Sequence, residues 1–184
     1  MRIVAGEFRG RKLHTPKGAQ IRPTTDRVRE AIFSIIASHV PDASVLDLFA
    51  GTGALGLEAL SRGAAQAVFV DRSTDAVRLI RANVELCRVE DRARVVQGSV
   101  VQVIQRLANQ GEAFHLIFMD PPYGKGCVEE TLLQLDKVAY ATVLVVAEHH
   151  VKDVLPQRLG EWLRTRERRY GDTAVSFFVK DLPP

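Results

Sequence analysis

Ser44-Val45-Leu46-Asp47-Leu48-Phe49-Ala50-Gly51-Thr52-Gly53-Ala54-Leu55-Gly56 is the stretch that decides the fold. Its first six residues read as a buried strand, and a glycine turn follows at once. Glycine lets a backbone turn tightly and approach a neighbour closely, and the helix that opens next starts with unpaired N–H groups. Leu55, Leu57, Ala59 and Leu60 are good helix formers, and Gly63 can end that helix. A second strand, Ala67-Val68-Phe69-Val70, then ends in Asp71. Strand, glycine turn, helix, strand and acid is an order that seats a nucleoside, with the acid on the ribose diol. Gly51, Gly53 and Gly56 also spell G-x-G-x-x-G, so a dinucleotide remains open from this stretch alone.

Working outward, strands and helices keep alternating. Ser73 caps a helix whose inward positions are Ala76, Val77, Ile80 and Val84. Strands at 94–97 and 115–119 flank a helix at about 100–109. Helix signals return after Gly126 with Val128, Leu132, Leu133 and Leu135. Thr142 to Ala147 is a continuous apolar run, as for a strand buried on both faces. Before the deciding stretch, 2–5 and 11–13 pair as a short hairpin and Pro16 to Pro23 is a loop. Thr24 or Thr25 caps a helix with Val28, Ala31, Ile32, Ile35 and Ile36 inward, which Pro41 stops. After it, Trp162, Arg164, Arg166, Arg168 and Tyr170 alternate with Leu163, Thr165, Glu167 and Arg169, an exposed strand with a basic face. Gly171-Asp172 turns that strand back into Ala174 to Val179.

The expected fold is therefore α/β, a doubly wound Rossmann-like sheet, mostly parallel and seven-stranded. It carries an antiparallel C-terminal edge hairpin and a short N-terminal β-hairpin and helix extension. Residues 1–184 read as one domain, with 1–40 a basic extension and 41–184 the nucleoside-binding core.

At the end of the fourth strand stands Asp120-Pro121-Pro122-Tyr123. Two prolines after a carboxylate make a stiff turn with no backbone donors of its own. Such a turn leaves a carboxylate and carbonyls free to accept hydrogen bonds, beside an aromatic ring. A planar amine lying on the ring can donate both hydrogens to it, which suits alkylation of an exocyclic amine of a nucleobase. The same residues also suit an ordinary strand exit with a surface Tyr. Asp47 adds to the first reading: a carboxylate below the glycine turn repels a pyrophosphate but suits an ammonium group.

The combination D-L-F-A-G-T-G, then Asp71, then D-P-P-Y resembles the class I S-adenosylmethionine-dependent methyltransferases. Arg2-Ile3-Val4-Ala5-Gly6, Arg9-Gly10-Arg11-Lys12-Leu13, the run from Ile21-Arg22-Pro23-Thr24-Thr25 to Phe33, and Tyr170-Gly171-Asp172-Thr173 narrow the resemblance. They are similar to the bacterial RsmD-type family, which methylates a guanine N2 in small-subunit (16S) ribosomal RNA. The resemblance implies S-adenosylmethionine as cofactor, on Asp47, Phe49, Ala50, Gly51, Thr52, Gly53, Asp71, Arg72, Ser99 and Asp120. It implies Asp120, Pro121, Pro122 and Tyr123 as the catalytic turn. It implies RNA on Arg9, Arg11, Lys12, Arg22, Arg164, Arg166 and Arg168. Ribosomal RNA, within a small-subunit particle or assembly intermediate, is the partner it implies. One departure stands at Ser99, where relatives of this class often carry Asp or Asn for the adenine.

The chain has 184 residues, 46% apolar and 26% charged, as in an ordinary globular domain. No apolar run approaches the roughly 20 residues of a membrane span. No signal-peptide core is present at the N-terminus, so a cytoplasmic monomer without membrane or metal is expected. Cys87 and Cys127 are too few for a disulfide framework or a metal site. Cys87 falls on an apolar helix face, Cys127 reads as a helix start, and His149-His150 as a solvent edge. Net charge is +3, yet residues 1–29 alone balance at +6 and leave −3 for the rest. Charge gathered on one arm is a footprint of phosphate binding.

Other classes account for less of the sequence. A DNA adenine-N6 methyltransferase uses the same tetrapeptide, but no target-recognition insertion is visible. A protein glutamine methyltransferase gives the basic arm no role. A nicotinamide-dependent oxidoreductase uses the glycines but not D-P-P-Y, and a non-catalytic RNA-binding module has no need of Asp120.

Overall fold

The structure, a computed structural model, describes residues 1–16, 26–122 and 126–181. Expectations at Arg22, at the Thr24 or Thr25 cap, across most of the Pro16–Pro23 loop and at Tyr123 lie outside them. Five parallel strands form the main sheet: β1 (Ser44–Leu48), β2 (Gln66–Asp71), β3 (Ala93–Gln97), β4 (Phe114–Met119) and β5 (Ala139–His150). Three antiparallel strands complete it: β6 (Arg158–Leu159), β7 (Trp162–Tyr170) and β8 (Thr173–Lys180). The order is β3-β2-β1-β4-β5-β8-β7-β6, so among the described residues the sheet has eight strands, one more than expected. The extra one, β6, is two residues long, too short to show a periodicity.

Helices cover both faces. On one side α1 (Asp26–Ile35), α2 (Ala54–Ser61) and α3 (Thr74–Cys87) bury Ile32, Phe33, Leu57 and Ile80 against Val45, Phe69, Phe118 and Val146. On the other, α4 (Val100–Asn109) and α5 (Cys127–Leu135) bury Ile104, Leu107 and Leu132 against Leu46, Val70, Ile117 and Val145. The chain leaves β1 toward β2 on one side and returns to β4 on the other. That reversal opens a crevice at the C-terminal ends of β1 and β4. Gly56 lies inside α2, where a Cβ would sit 2.3 Å from the Phe69 ring. The third glycine of the G-x-G-x-x-G pattern is thus explained by helix–strand packing, not by a ligand.

The N-terminal strands at 2–5 and 11–13 reduce to one antiparallel bridge, Arg2 with Lys12, around a left-handed Gly6 and Gly10. Packing and hydrogen bonds to α2 hold this segment. Ile3, Phe8 and Leu13 are buried in the same core as α1 and α2. A Cβ on Gly6 would meet the Ser61 carbonyl oxygen at 1.8 Å, so only glycine allows the approach. Ser61 also receives the Glu7 N–H on its carbonyl at 2.8 Å and the Phe8 N–H on its hydroxyl at 2.9 Å.

Two expectations are corrected here. The arginines of β7 do not share one face. Arg164 pairs with Phe178 but Arg166 pairs with Phe177, so a β-bulge at Thr165 flips the alternation. Arg164 lies on the Phe178 face, where its guanidinium bonds Glu167 at 2.8 Å. Arg166 and Arg168 lie on the opposite face, that of Val175 and Phe177. A one-residue bulge leaves no mark in a pattern of alternating charges. His149, expected at a solvent edge, is buried. Its Nδ1 donates to the His150 carbonyl at 3.0 Å, so Nε2 accepts the Ser176 hydroxyl at 2.9 Å. Burial lowers its pKa and keeps the ring neutral.

Among the described residues, no helix is long and apolar enough to cross a membrane. Among them, too, no group of three or more His, Cys, Asp or Glu is placed to hold a metal.

Candidate active site

The turn after β1 is built from left-handed backbone. Phe49 has φ +57°, Gly51 +57° and Gly53 +76°. Asp71, ending β2, braces it: one carboxylate oxygen accepts the Gly51 N–H at 3.0 Å and the other accepts the Ser73 N–H at 2.9 Å. A carboxylate offers about four acceptor positions, so two remain for hydroxyls of a ligand.

Beside the turn lies a cleft of about 690 Å³. Asp71, Arg72, Gly98 and Ser99 form one wall, and Asp120, Pro121, Pro122, Cys127 and Thr131 the other. Phe49, Val100 and Val101 add apolar surface. A volume between about 300 and 1,000 Å³ with few polar groups is that of a small-molecule site. Ser99 caps α4 by accepting the Gln102 N–H at 3.4 Å, which leaves its hydroxyl hydrogen to donate.

Asp120 follows β4 at the crevice, and its N–H bonds the Leu48 carbonyl at 3.4 Å. Removal from water pushes its pKa well above the ordinary carboxylate range, and the charges of Glu148 and Asp47 push it further. Asp47, expected to bind the cofactor, is the next-to-last residue of β1 and does not line the cleft. Its Oδ2 accepts the Gly56 N–H at 2.9 Å, and burial raises its pKa to about 7. The folded chain holds that proton more tightly than the unfolded chain. Asp47 therefore favours folding at acid pH and costs stability as the pH rises through 7.

Of the residues selected from sequence, Phe49, Asp71, Arg72, Ser99, Asp120, Pro121 and Pro122 come together on the cleft. Ala50, Gly51, Thr52 and Gly53 make the turn beside it. Of the basic residues, Arg9 and Lys12 are exposed, whereas Arg11 is half-buried, donating to the Leu86 carbonyl at 2.9 Å over the Phe8 ring. Arg29, one of the eight cations of the basic arm, is fully buried and pairs with Asp26 at 2.8 Å.

Sequence reasoning passed over two residues that organise this region, Glu58 and Asn83, both fully buried. Each was visible as a polar residue on an otherwise apolar helix face. Glu58 receives the N–H groups of Val4 at 2.8 Å and Ala5 at 3.0 Å, and Arg62 at 2.7 Å. Cys127, read from sequence as a helix start, does open α5, and it also lines the cleft.

Comparison with known proteins agrees with this architecture. A family model described as conserved hypothetical protein 95 matches residues 1–179. A protein of Escherichia coli strain K12 named ribosomal RNA small subunit methyltransferase D is 37% identical over 183 residues, which cover 98% of this chain and 90% of the relative. The chain belongs to the RsmD family. YlbH of Bacillus subtilis strain 168 is 35% identical over 182 residues, 98% of this chain and 99% of that one. The solved structure of yhhF from Escherichia coli superposes with a TM-score of 0.85 at 37% identity, covering 98% of each chain. RsmD membership extends to the N-terminal segment as well as the sheet, since the matched region starts at residue 1. The chain therefore has the fold of a methyltransferase.

Proposed function

We propose that this protein transfers a methyl group from S-adenosylmethionine to the exocyclic N2 of a guanine in small-subunit ribosomal RNA. The observation that carries this reading is that Asp71, ending β2, and Asp120-Pro121-Pro122, following β4, line one cleft; the first suits a nucleoside and the second an acceptor amine. The name of the Escherichia coli relative supports ribosomal RNA as the substrate class.

The residues present fit the cofactor. Asp71 has acceptor positions left for a ribose diol, Ser99 offers a hydroxyl, and Phe49, Val100 and Val101 supply apolar contact. Asp47, assigned to the cofactor by resemblance, does not line the cleft; its carboxyl is buried, accepts the Gly56 N–H and supports the turn from below. When bound, S-adenosylmethionine supplies an activated methyl group on a sulfonium.

The protein's own part is to hold the acceptor. The lone pair of a guanine N2 is delocalised into the ring, so the amine is a poor nucleophile. Asp120 and the Pro121 carbonyl accept its hydrogens and favour a pyramidal nitrogen. Tyr123, outside the described residues, is the ring that the sequence supplies for stacking. No residue forms a covalent bond, so positioning carries much of the rate. The target base leaves its stack to reach this turn.

RNA backbone would cross the exposed cations. Register aligns Glu148, Val175 and Arg168 in one row across β5, β8 and β7, and Asp120 follows directly on Met119, which pairs with Ala147 beside Glu148. Three strand spacings put Arg168 roughly 14 Å from Asp120. Arg166 and Arg168 thus stand at the catalytic end of the sheet, on the face that also carries the N-terminal segment.

Two expected results follow from these assignments. Asp71→Ala weakens S-adenosylmethionine binding by roughly 1–3 kcal/mol, the range for a hydrogen bond to a charged group. Unchanged affinity in calorimetry would remove Asp71 from the site. Replacing Arg9, Lys12, Arg166 and Arg168 with Ala weakens RNA binding and spares the cofactor. Each lost phosphate contact flattens the slope of log K against log salt by about 0.7–0.9. A wild-type slope in that variant would put the RNA elsewhere.

The deciding experiment is transfer of a radiolabelled methyl group to small-subunit RNA, naked and in particles, with base analysis of the product. N2-methylguanine is expected. Methyladenine in DNA, or binding of NAD in preference to S-adenosylmethionine, would overturn the reading.

A further inference from the structure

Asn83 sits on α3 with no exposed surface. Its side-chain oxygen accepts the His14 N–H at 2.7 Å. Its amide nitrogen donates to the His14 carbonyl at 3.1 Å and to the Thr52 carbonyl at 2.9 Å. Both amide hydrogens are thereby used. The orientation of the amide is fixed, because a flipped group would point its oxygen at two carbonyls. One buried side chain thus grips both backbone groups of His14 and, with the same nitrogen, the middle of the glycine turn.

The two elements it joins have different tasks. His14 closes the N-terminal segment that carries the exposed Arg9 and Lys12. Thr52 lies between Gly51 and Gly53, and Gly51 in turn donates to Asp71 on the cleft wall. The contact runs His14, Asn83, Thr52, Gly51, Asp71, with no gap. A second touch strengthens it, since the Thr52 hydroxyl lies 3.4 Å from the Met1 sulfur.

We infer that Asn83 is a positioning residue that locks the N-terminal segment to the glycine turn, so that RNA held by the segment and cofactor held by the turn tighten each other's binding. This rests on the proposed function. The physical basis is shared ordering. A ligand that fixes His14 also fixes the Thr52 carbonyl, and the second ligand meets a turn already held. Coupling of this kind is reciprocal, and its usual size is about 5–150-fold in affinity.

The test is a thermodynamic square. Dissociation constants of S-adenosylhomocysteine are measured by calorimetry with and without saturating small-subunit RNA, for the unaltered protein, Asn83→Ala and Asn83→Asp. Asn83→Asp keeps the size and the acceptor for the His14 N–H, and at a pH high enough to ionise the buried carboxylate it has no hydrogen for the Thr52 carbonyl, so it severs the link without opening a cavity, at the cost of an unpaired buried charge. RNA is expected to tighten S-adenosylhomocysteine by at least about fivefold in the unaltered protein. In both variants that ratio is expected to fall to between one and two. A purely structural role would lower thermal stability, or weaken each ligand alone, and leave the ratio intact. An intact ratio in Asn83→Asp overturns the inference, as does a ratio of one in the unaltered protein that binds both ligands. Failure of the unaltered protein to bind RNA at all would instead overturn the proposed function, and the inference with it.

Discussion

Asp120→Ala is expected to lower methyl transfer by about 10²–10⁴-fold, the usual contribution of a group that handles a proton at the reacting atom. Cofactor affinity should stay close to that of the unaltered protein. The reason is position. Asp120 shares the cleft with Asp71 but stands on the opposite wall, with the two prolines that remove competing backbone donors. Under the proposed function its partner is the acceptor amine, so truncation should act on turnover. Equal losses of turnover and cofactor binding would assign Asp120 to the cofactor instead. The same role fixes a pH dependence. The ionised carboxylate is the stronger acceptor for an amine that loses a proton, because the protonated acid turns one of its oxygens into a donor. Desolvation, then Glu148, then Asp47 raise the Asp120 pKa well above 3.8. Turnover should therefore fall as the pH drops through a value above the ordinary carboxylate range. An acid limb at an ordinary carboxylate pKa would show that neither burial nor the charged neighbours act on the group that titrates.

Much of this molecule is legible from its sequence because the informative signals are local. A strand buried on both faces, such as Ser44–Leu48, announces itself as an apolar run. Ser73 and Ser99 sit at helix starts where a hydroxyl can cap, and the structure shows both doing so. Asp71 and Asp120 are fixed by strand ends, so their meeting across one cleft follows from the topology. What stays hidden depends on contacts between distant segments. The Thr165 bulge is set by how β7 registers on β8, which no alternation reveals. His149 looks like the end of a strand until β8 brings Ser176 to it. The basic balance of residues 1–29 reads as one arm, yet Arg29 belongs to the core. Its charge is answered by Asp26 and Glu58, not by solvent or a ligand. Charge counts along a chain do not separate these two kinds of arginine. Burial does.

Glu58 is where that hidden organisation has its largest expected consequence. Its carboxylate is fully buried and receives Val4 N–H, Ala5 N–H and the Arg62 guanidinium, with Arg29 Nε at 3.5 Å. Glu58→Ala leaves the Arg29 cation buried with one carboxylate fewer and strands two backbone donors. Breaking a buried pair from one side costs about 3–5 kcal/mol. For a chain of this length that is a fall in Tm of roughly 6–20 °C. Arg62→Ala should cost much less, because Arg62 is partly solvated and its loss leaves Glu58 still bonded to Arg29, Val4 and Ala5. The comparison separates a lost ion pair from a lost anchor. Hydrogen exchange at Val4 and Ala5 provides the local check. These amides should exchange faster in Glu58→Ala than in Arg62→Ala, because only Glu58 bonds them. If Glu58→Ala loses less than about 1 kcal/mol, the range of an exposed pair, water must reach Arg29 and the anchor is not a buried one. If stability falls but Val4 and Ala5 stay protected, the N-terminal segment is held by Ile3, Phe8 and Ser61 alone. The carboxylate would then serve only to neutralise Arg29.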